Sequence, residues 1–327
     1  MTGKGLTDGT GRRINYLRIS VTDRCNLRCR YCMPEEGIPP VPHDDILSYE
    51  EIARIAAICA DLGVAHIRLT GGEPLVRHDV AGLVAMLKKI PGIETVAITT
   101  NGILLKEQLP ALLAAGLDGV NLSLDALDEE LFQQITRRPG LTAVLDALAA
   151  ALQAPALKVK LNCVPTAENL SQLVPLAGLA REKRLDVRFI ELMPIGLGRT
   201  LARLDEGHVR SLLETAYGPL TPCCHAAGNG PCSYFSLPHF AGKIGLISAL
   251  SHSFCDTCNR LRLTSTGFLK PCLQYEQGTA LRPLLDGSDD LIAAAILEVI
   301  AHKPKSHHFA QSPAPGDEPG CMAQIGG

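Results

Sequence analysis

No apolar run in the 327-residue chain approaches the roughly 20 residues needed to cross a bilayer. Residues 1–11 are polar and rich in Gly and Thr, without the apolar core of a signal peptide. The expectation is therefore a cytoplasmic protein with no membrane partner. Charge of one sign is also missing: 31 Lys and Arg face 34 Asp and Glu, a net charge of −3. That balance gives no global attraction to nucleic acid, so an anionic substrate has to be held by a local cluster of Lys and Arg. There is no low-complexity tract and no exact repeat. The 46% hydrophobic content suits a globular protein with a real core, and the length allows one large domain or two ordinary ones.

Cysteine is present in excess, at 12 residues. In a small secreted protein this would mean disulfides. In a long chain well supplied with Leu, Ile and Val it points to metal or redox chemistry.

Apolar periodicity alternates between strand and helix. Residues 15–22 (NYLRISVT) read as a buried strand, and a helix begins at Ser48 with Glu51 as its capping-box partner and Gly63 as its stop. Strands follow at 66–70, 95–100, 119–124, 157–164 and 186–192, with helices at 78–90, before Gly116, between 128 and 153, and at 170–183. This pattern predicts a parallel sheet with helices outside. Six units are fewer than the eight of a closed barrel, so the expected fold is α/β: a curved, laterally open partial (β/α)6 TIM-like barrel. Polar residues gather at the strand ends: the cysteine run after the first strand, Gly71-Gly72-Glu73 after the second and Thr99-Thr100-Asn101 at the third. Ser123 and Asp125, Asn162, and Glu191 with Met193 close the others. Barrels place active sites on that rim. After Pro194 the pattern changes: 221–238 reads as loop, 242–250 as strand-like and 311–320 as a Pro/Gly linker. The expected domains are 1–194, the barrel, and 195–327, a smaller domain across its open side.

Cys25-x-x-x-Cys29-x-x-Cys32 offers three thiolates from one loop. On a four-iron cube this leaves one iron open to a small molecule. Structural zinc wants four ligands, and neither Asp23 nor His43 is well spaced as a fourth. Cys255-x-x-Cys258 with Cys272 is a second such set; alone it suits zinc, with His252 as fourth ligand, as well as iron–sulfur. In Cys258-Asn259-Arg260-Leu261-Arg262, period-2 alternation puts both arginines on one face, an arrangement that binds a polyphosphate bidentately if it is not merely a solvated strand edge.

The CxxxCxxC loop, with Tyr31 before its last Cys, and Gly71-Gly72-Glu73-Pro74 resemble the radical S-adenosylmethionine superfamily. The motifs LRISVTDRCNLRCRYCMP, LTGGEPL, ITTNG, NLSLDAL, RFIELMP, FCDTCNRLRLTSTGFLKPCL and the terminal Gly-Gly resemble, specifically, the GTP 3′,8-cyclase family of molybdenum-cofactor biosynthesis. This resemblance implies two [4Fe–4S] clusters, on Cys25, Cys29 and Cys32 and on Cys255, Cys258 and Cys272. It implies S-adenosylmethionine contacts at Tyr31, Gly72, Ser123 and Met193, and GTP contacts at Arg18, Arg68, Thr99, Lys160, Arg260 and Arg262. It assigns Arg18, Arg260, Arg262, Gly326 and Gly327 to the catalytic machinery, the Gly-Gly tail entering the site. It further implies hydrogen abstraction from C3′ of GTP and attack on C8, giving 3′,8-cyclo-7,8-dihydro-GTP. The implied partners are an electron donor such as flavodoxin or ferredoxin, a downstream cyclic pyranopterin monophosphate synthase and a second copy in a homodimer.

Cys223, Cys224 and Cys232 match no motif of that family and read as incidental thiols, a third metal site being the alternative. Cys59 and Cys163 read as core, and Cys321 has no sequence explanation. Two other readings stand beside the cyclase: a peptide-modifying radical enzyme with an auxiliary cluster, and a non-catalytic zinc or iron–sulfur protein.

Overall fold

The structure, a computed structural model, describes residues 6–223, 230–309, 311 and 314–326. Six consecutive parallel strands form its centre: β1 (Tyr16–Ser20), β2 (His66–Thr70), β3 (Thr95–Thr100), β4 (Gly119–Ser123), β5 (Lys158–Cys163) and β6 (Asp186–Ile190). Helices α1 (Tyr49–Asp61), α2 (Val80–Lys88), α3 (Leu105–Ala114), α4 (Glu129–Thr136), α5 (Leu141–Leu152) and α6 (Leu173–Glu182) connect them. This is the predicted partial barrel. Its outward strand residues, such as Leu17, Ile19, Ile67, Leu69 and Ile98, are sealed beneath Ile52, Ile55, Leu83, Val84 and Leu112 of the helices. Helix α1 starts as the sequence predicts, with Ser48 Oγ accepting from Glu51 N and Glu51 Oε2 accepting from Ser48 N at 2.6 Å. Gly63, at φ +115°, turns the chain out of it.

The segment after Pro194 extends this sheet at both flanks. Beyond helix α7 (Glu206–Tyr217), strands β7 (Thr221–Pro222), β8 (Ser233–Ser236) and β9 (Ile244–Ile247) follow, and β9 pairs in parallel with β6. Then β10 (Arg260–Leu263) pairs in parallel with β1 and carries β11 (Phe268–Lys270) and β12 (Thr279–Ala280). The result is one twelve-stranded sheet, β12-β11-β10-β1-β2-β3-β4-β5-β6-β9-β8-β7, whose ends do not pair among the described residues. Helices α8 (Asp289–Ala301) and α9 (Met322–Ile325) complete the chain.

The sequence reading of 221–238 as loop is corrected here. Cys223 N donates to Tyr234 O, and β7 and β8 form an antiparallel ladder. The strand has only four residues with no period-2 alternation, since the buried Tyr234 and Phe235 are adjacent, and Gly and Pro surround it. Pro222 is tolerated because β7 is an edge.

Arg12 joins the two ends of the chain. Its Nε pairs with Asp8 Oδ2 at 2.5 Å, both side chains buried. Its other nitrogens donate to the carbonyls of Cys255, Lys303, Pro304 and Lys305. Breaking such a buried pair costs about 3–5 kcal/mol. Arg12→Ala is expected to lower unfolding stability by that order in chemical denaturation, whereas Arg54→Ala, which removes the half-exposed pair with Asp289, is expected to cost under about 1–2 kcal/mol.

Candidate active site

The first cysteine loop is held from four sides. Gly72 N donates to Thr22 O and Glu73 N to Arg24 O, both at 2.8 Å, so the β2 loop lies directly against the backbone that leads into Cys25. A Cβ at Gly71 would lie 2.5 Å from Thr22 O, and one at Gly72 would lie 2.7 Å from Asp23 O. Both glycines are there because only bare backbone fits. Glu73, buried, accepts from Thr100 Oγ1 and Asn101 N, each at 2.7 Å, and from Leu75 N. Asn101 Nδ2 then donates to Asn26 Oδ1 inside the cysteine loop. Tyr31 OH donates to Asp125 Oδ2 at 2.6 Å beyond β4. Arg28 N and Arg30 N donate to Thr136 O and Ile135 O at the end of α4.

All three thiols are free of disulfides. Burial pushes Cys25 up to about 11, and pushes Cys29 and Cys32 up as well, with the neighbouring sulfurs adding to it. Three crowded, desolvated thiols hold their protons unless a cationic group takes their place, which is the chemistry of an iron cluster's ligand set. Among the described residues no three His, Cys, Asp or Glu side chains gather closely enough to hold one metal ion. Of the zinc alternatives' fourth ligands, Asp23 Oδ2 accepts from Val41 N, and His252 Nδ1 faces Glu206 Oε2 at 2.8 Å.

The second set is assembled by a hairpin. Cys258 lies just before β10 and Cys272 just after β11; because these strands are antiparallel, both come to the same end of the sheet. There burial, which raises a thiol's pKa, is outweighed. His307 and Ser253 bring Cys255 down to about 7, and Arg260 and Lys303 do the same for Cys258. Since β10 runs parallel to β1 and starts beside it, the two cysteine sets flank opposite ends of β1. Its five residues separate them by roughly 16 Å at about 3.3 Å each.

Between the two sets runs a row of cations. Lys270 is opposite Arg262, Arg262 opposite Arg18, and Arg18 opposite Arg68, on four neighbouring strands. Arg68 Nη1 donates to Thr99 Oγ1 at 3.5 Å, and Thr99 aligns through Asn121 with Lys160 on β5. Burial and then neighbouring guanidiniums hold Arg18 well below its usual pKa and Arg262 at about 10. Lys160 is at about 8, from burial and then Arg188. The C-terminal segment enters the same space: Gly326 O accepts from Arg262 Nη1 at 3.1 Å and from Thr70 Oγ1 at 3.4 Å. A Cβ at Gly326 would lie 2.8 Å from Ser20 Cβ, at φ +74°. Gly327 and Cys224 lie outside the described residues.

Of the sequence-nominated residues, Arg18, Arg68, Thr99, Arg260, Arg262 and Gly326 are thus brought together, with Lys160 two strands on. Ser123 ends β4 opposite Asn162. Met193 packs on the small apolar cluster of Ile195, Leu273, Phe309 and Ile325. Cys59 and Cys163 are core, as expected. Cys321 is the N-cap of α9, and Cys232 Sγ lies beside Arg188, near which a Cβ on Gly245 would also fall.

Sequence reasoning missed Lys270, Arg188 and the role of Glu191. Lys270 pairs with Glu318 in the tail segment, both buried. Arg188 donates to Asn162 Oδ1, and alternation with Val187 and Phe189 on β6 was its available signal. Glu191 accepts from Leu250 N, Ser251 N and Ser251 Oγ, fastening the post-β9 turn to the rim.

Residues 19–177 match the model of the Radical SAM superfamily, and 185–309 that of Molybdenum Cofactor Synthesis C. The chain is 45% identical to the GTP 3′,8-cyclase of Moorella thermoacetica over 98% of its length and 100% of the relative's. It is equally similar to that of Pelotomaculum thermopropionicum, at 45% over 98% and 100%. The chain belongs to the GTP 3′,8-cyclase family of radical SAM enzymes. A crystal structure of Streptococcus suis SuiB bound to precursor peptide SuiA is similar in fold, with TM-score 0.62 at 16% identity. The match covers 89% of this chain and 65% of that one. No helix among the described residues is long and apolar enough to cross a membrane.

Two outcomes follow from the close approach at Gly72 and the burial of Glu73. Gly72→Val is expected to disrupt the first cysteine loop and abolish iron loading there, read as roughly four irons fewer in the anaerobically reconstituted chain. Burial raises Glu73 to about 7, so its folded form takes up a proton that the unfolded chain lacks between its ordinary value of 4.5 and 7. That contribution to stability is present below 4.5 and is lost as pH rises to 7. Glu73→Gln is expected to flatten that part of the stability–pH curve, measured by denaturant unfolding across pH 5–8.

Proposed function

We propose that this chain cyclises GTP to 3′,8-cyclo-7,8-dihydro-GTP with S-adenosylmethionine, the first step of molybdenum-cofactor biosynthesis. The observation that carries the reading is the cation row lying between two separate three-cysteine sets. Cys25, Cys29 and Cys32 hold one [4Fe–4S] cluster, and Cys255, Cys258 and Cys272 a second. When bound, the first cluster would supply the electron for reductive cleavage of S-adenosylmethionine, and the second, held by three thiolates, would have a ligand position to offer the substrate.

The protein's own part is placement. Arg18, Arg68, Arg260 and Arg262 are forks suited to phosphate oxygens, with Lys160 and Thr99 completing the GTP contacts. Tyr31, Gly72, Ser123 and Met193 line the S-adenosylmethionine side. The Asp125 contact fixes the Tyr31 ring, and the glycine backbone at 71–72 holds the 22–24 segment that leads into the first cysteine loop. Gly326, followed by Gly327, closes the space between the substrates. The tail, bound through Arg262 and Thr70, keeps water and stray hydrogen donors from the reacting carbon. An electron donor such as flavodoxin or ferredoxin, a downstream synthase that takes the product, and a homodimer complete the proposed setting.

A peptide-modifying activity has fold likeness in its favour, through SuiB. The cation row opposes it, because peptides do not call for four aligned cations, two of them buried.

Each guanidinium–phosphate contact contributes about 1.5–3 kcal/mol. The Arg260→Ala/Arg262→Ala double variant is therefore expected to bind GTP at least ~100-fold more weakly, with S-adenosylmethionine binding within about 2–3-fold of the parent by equilibrium dialysis. Equal loss of both ligands, or retention of GTP binding, would contradict the reading.

A further inference from the structure

Beside the second cysteine set lies a histidine that neither the sequence motifs nor the GTP contacts absorb. The main-chain N–H of His307 donates to Cys255 Sγ at 3.4 Å. Its ring sits in the same contact: Nε2 is 3.5 Å from Ser253 Oγ, and that hydroxyl accepts from Cys255 N at 3.4 Å. Phe309 N donates to Nδ1 at 3.5 Å. Nδ1 is then the acceptor, and Nε2 carries the proton that faces Ser253 Oγ.

The placement is imposed from both sides. Arg12 Nη1 holds the carbonyls of Cys255 and Lys305 together at 2.8 and 3.0 Å, so the two segments share one clamp. Tyr275 OH donates to Ser306 O, and His308 N donates to Gln274 Oε1, which fixes the peptides on either side of His307. The ring stacks on Phe309, 4.5 Å between centroids, and Phe309 is buried against Leu273, next to Cys272. A solvated surface histidine would show none of this over-determination.

We infer that His307 is a positioning residue of the second cluster: its main-chain N–H donates to the Cys255 sulfur, its ring N–H holds the Ser253 hydroxyl beside that sulfur, and together they set that cluster's reduction potential. Donors aimed at a ligand sulfur stabilise the more negative, reduced state, and so raise the potential. Here they act on the set proposed to hold the substrate, away from the one that cleaves S-adenosylmethionine. The inference rests on the second-cluster reading of the preceding subsection.

The test is a redox titration, followed by electron paramagnetic resonance, of the anaerobically reconstituted full chain and two variants. His307→Phe keeps a ring on Phe309 but removes the donor; His307→Gln keeps a donor. The expected result is full iron loading in all three, a second-cluster potential shifted to more negative values in the Phe variant, and a potential restored toward the parent's in the Gln variant. The first cluster's potential should not move. Full loading with the second potential unchanged in both variants overturns the inference, as does an equal shift in both. Should the Phe variant lose iron, Ser253→Ala, which removes the hydroxyl bridging Nε2 and Cys255 N, is titrated instead. A negative shift there supports the inference and no shift overturns it. The parent reading fails separately: a parent chain whose iron content is unaffected by Cys272→Ala has no second cluster to tune.

Discussion

Four cations stand side by side across β11, β10, β1 and β2, one per strand at the same level. Aligned like charges in a sheet repel, and removing each from water costs several kcal/mol before any partner is counted. Glu318 answers Lys270 and the Gly326 carbonyl answers Arg262, but the row as a whole suits a ligand of several negative charges. The rest of the architecture keeps this row in place. The strands of the C-terminal segment are added at both flanks of the barrel, and β10 beside β1 brings Arg262 into register with Arg18.

The same addition decides where the chemistry sits. Because β10 is parallel to β1, its leading cysteines come to the end opposite the first cysteine loop. The antiparallel return of β11 brings Cys272 to join them. Two cysteine sets therefore face a common interior from opposite ends, and the charge between them is fixed by strand register. Arg12 and Glu191 act as the fasteners. One holds the cysteine loop at 255 and the segment at 303–305 to the N-terminus; the other holds the turn at 250–251 to the barrel rim.

Much of this was legible in the sequence because it is local. The capping box at Ser48, the six strand–helix units, the spacing of both cysteine sets and the parity of Arg260 and Arg262 are all short-range patterns. What stayed hidden depends on pairing between distant segments. That Arg18, Arg68, Arg262 and Lys270 form one row follows from three registers, none of which is encoded within a single strand. The β7–β8 hairpin was read as loop because two buried aromatics among Gly and Pro give too short a pattern. Gly71 and Gly72 were legible as a motif, but their physical reason, contact with the 22–24 backbone, appears only in three dimensions. His307 gave no signal, since its partner lies 52 residues upstream.

In the proposed function this interior holds GTP with its C3′ presented to the radical derived from S-adenosylmethionine. The most direct measurement uses GTP carrying deuterium at C3′, with reductant, S-adenosylmethionine and the fully iron-loaded chain. The account predicts that deuterium is recovered in 5′-deoxyadenosine as cyclised product appears. 5′-Deoxyadenosine formed without deuterium while GTP is consumed, or GTP left intact by chain bearing both clusters, would contradict it.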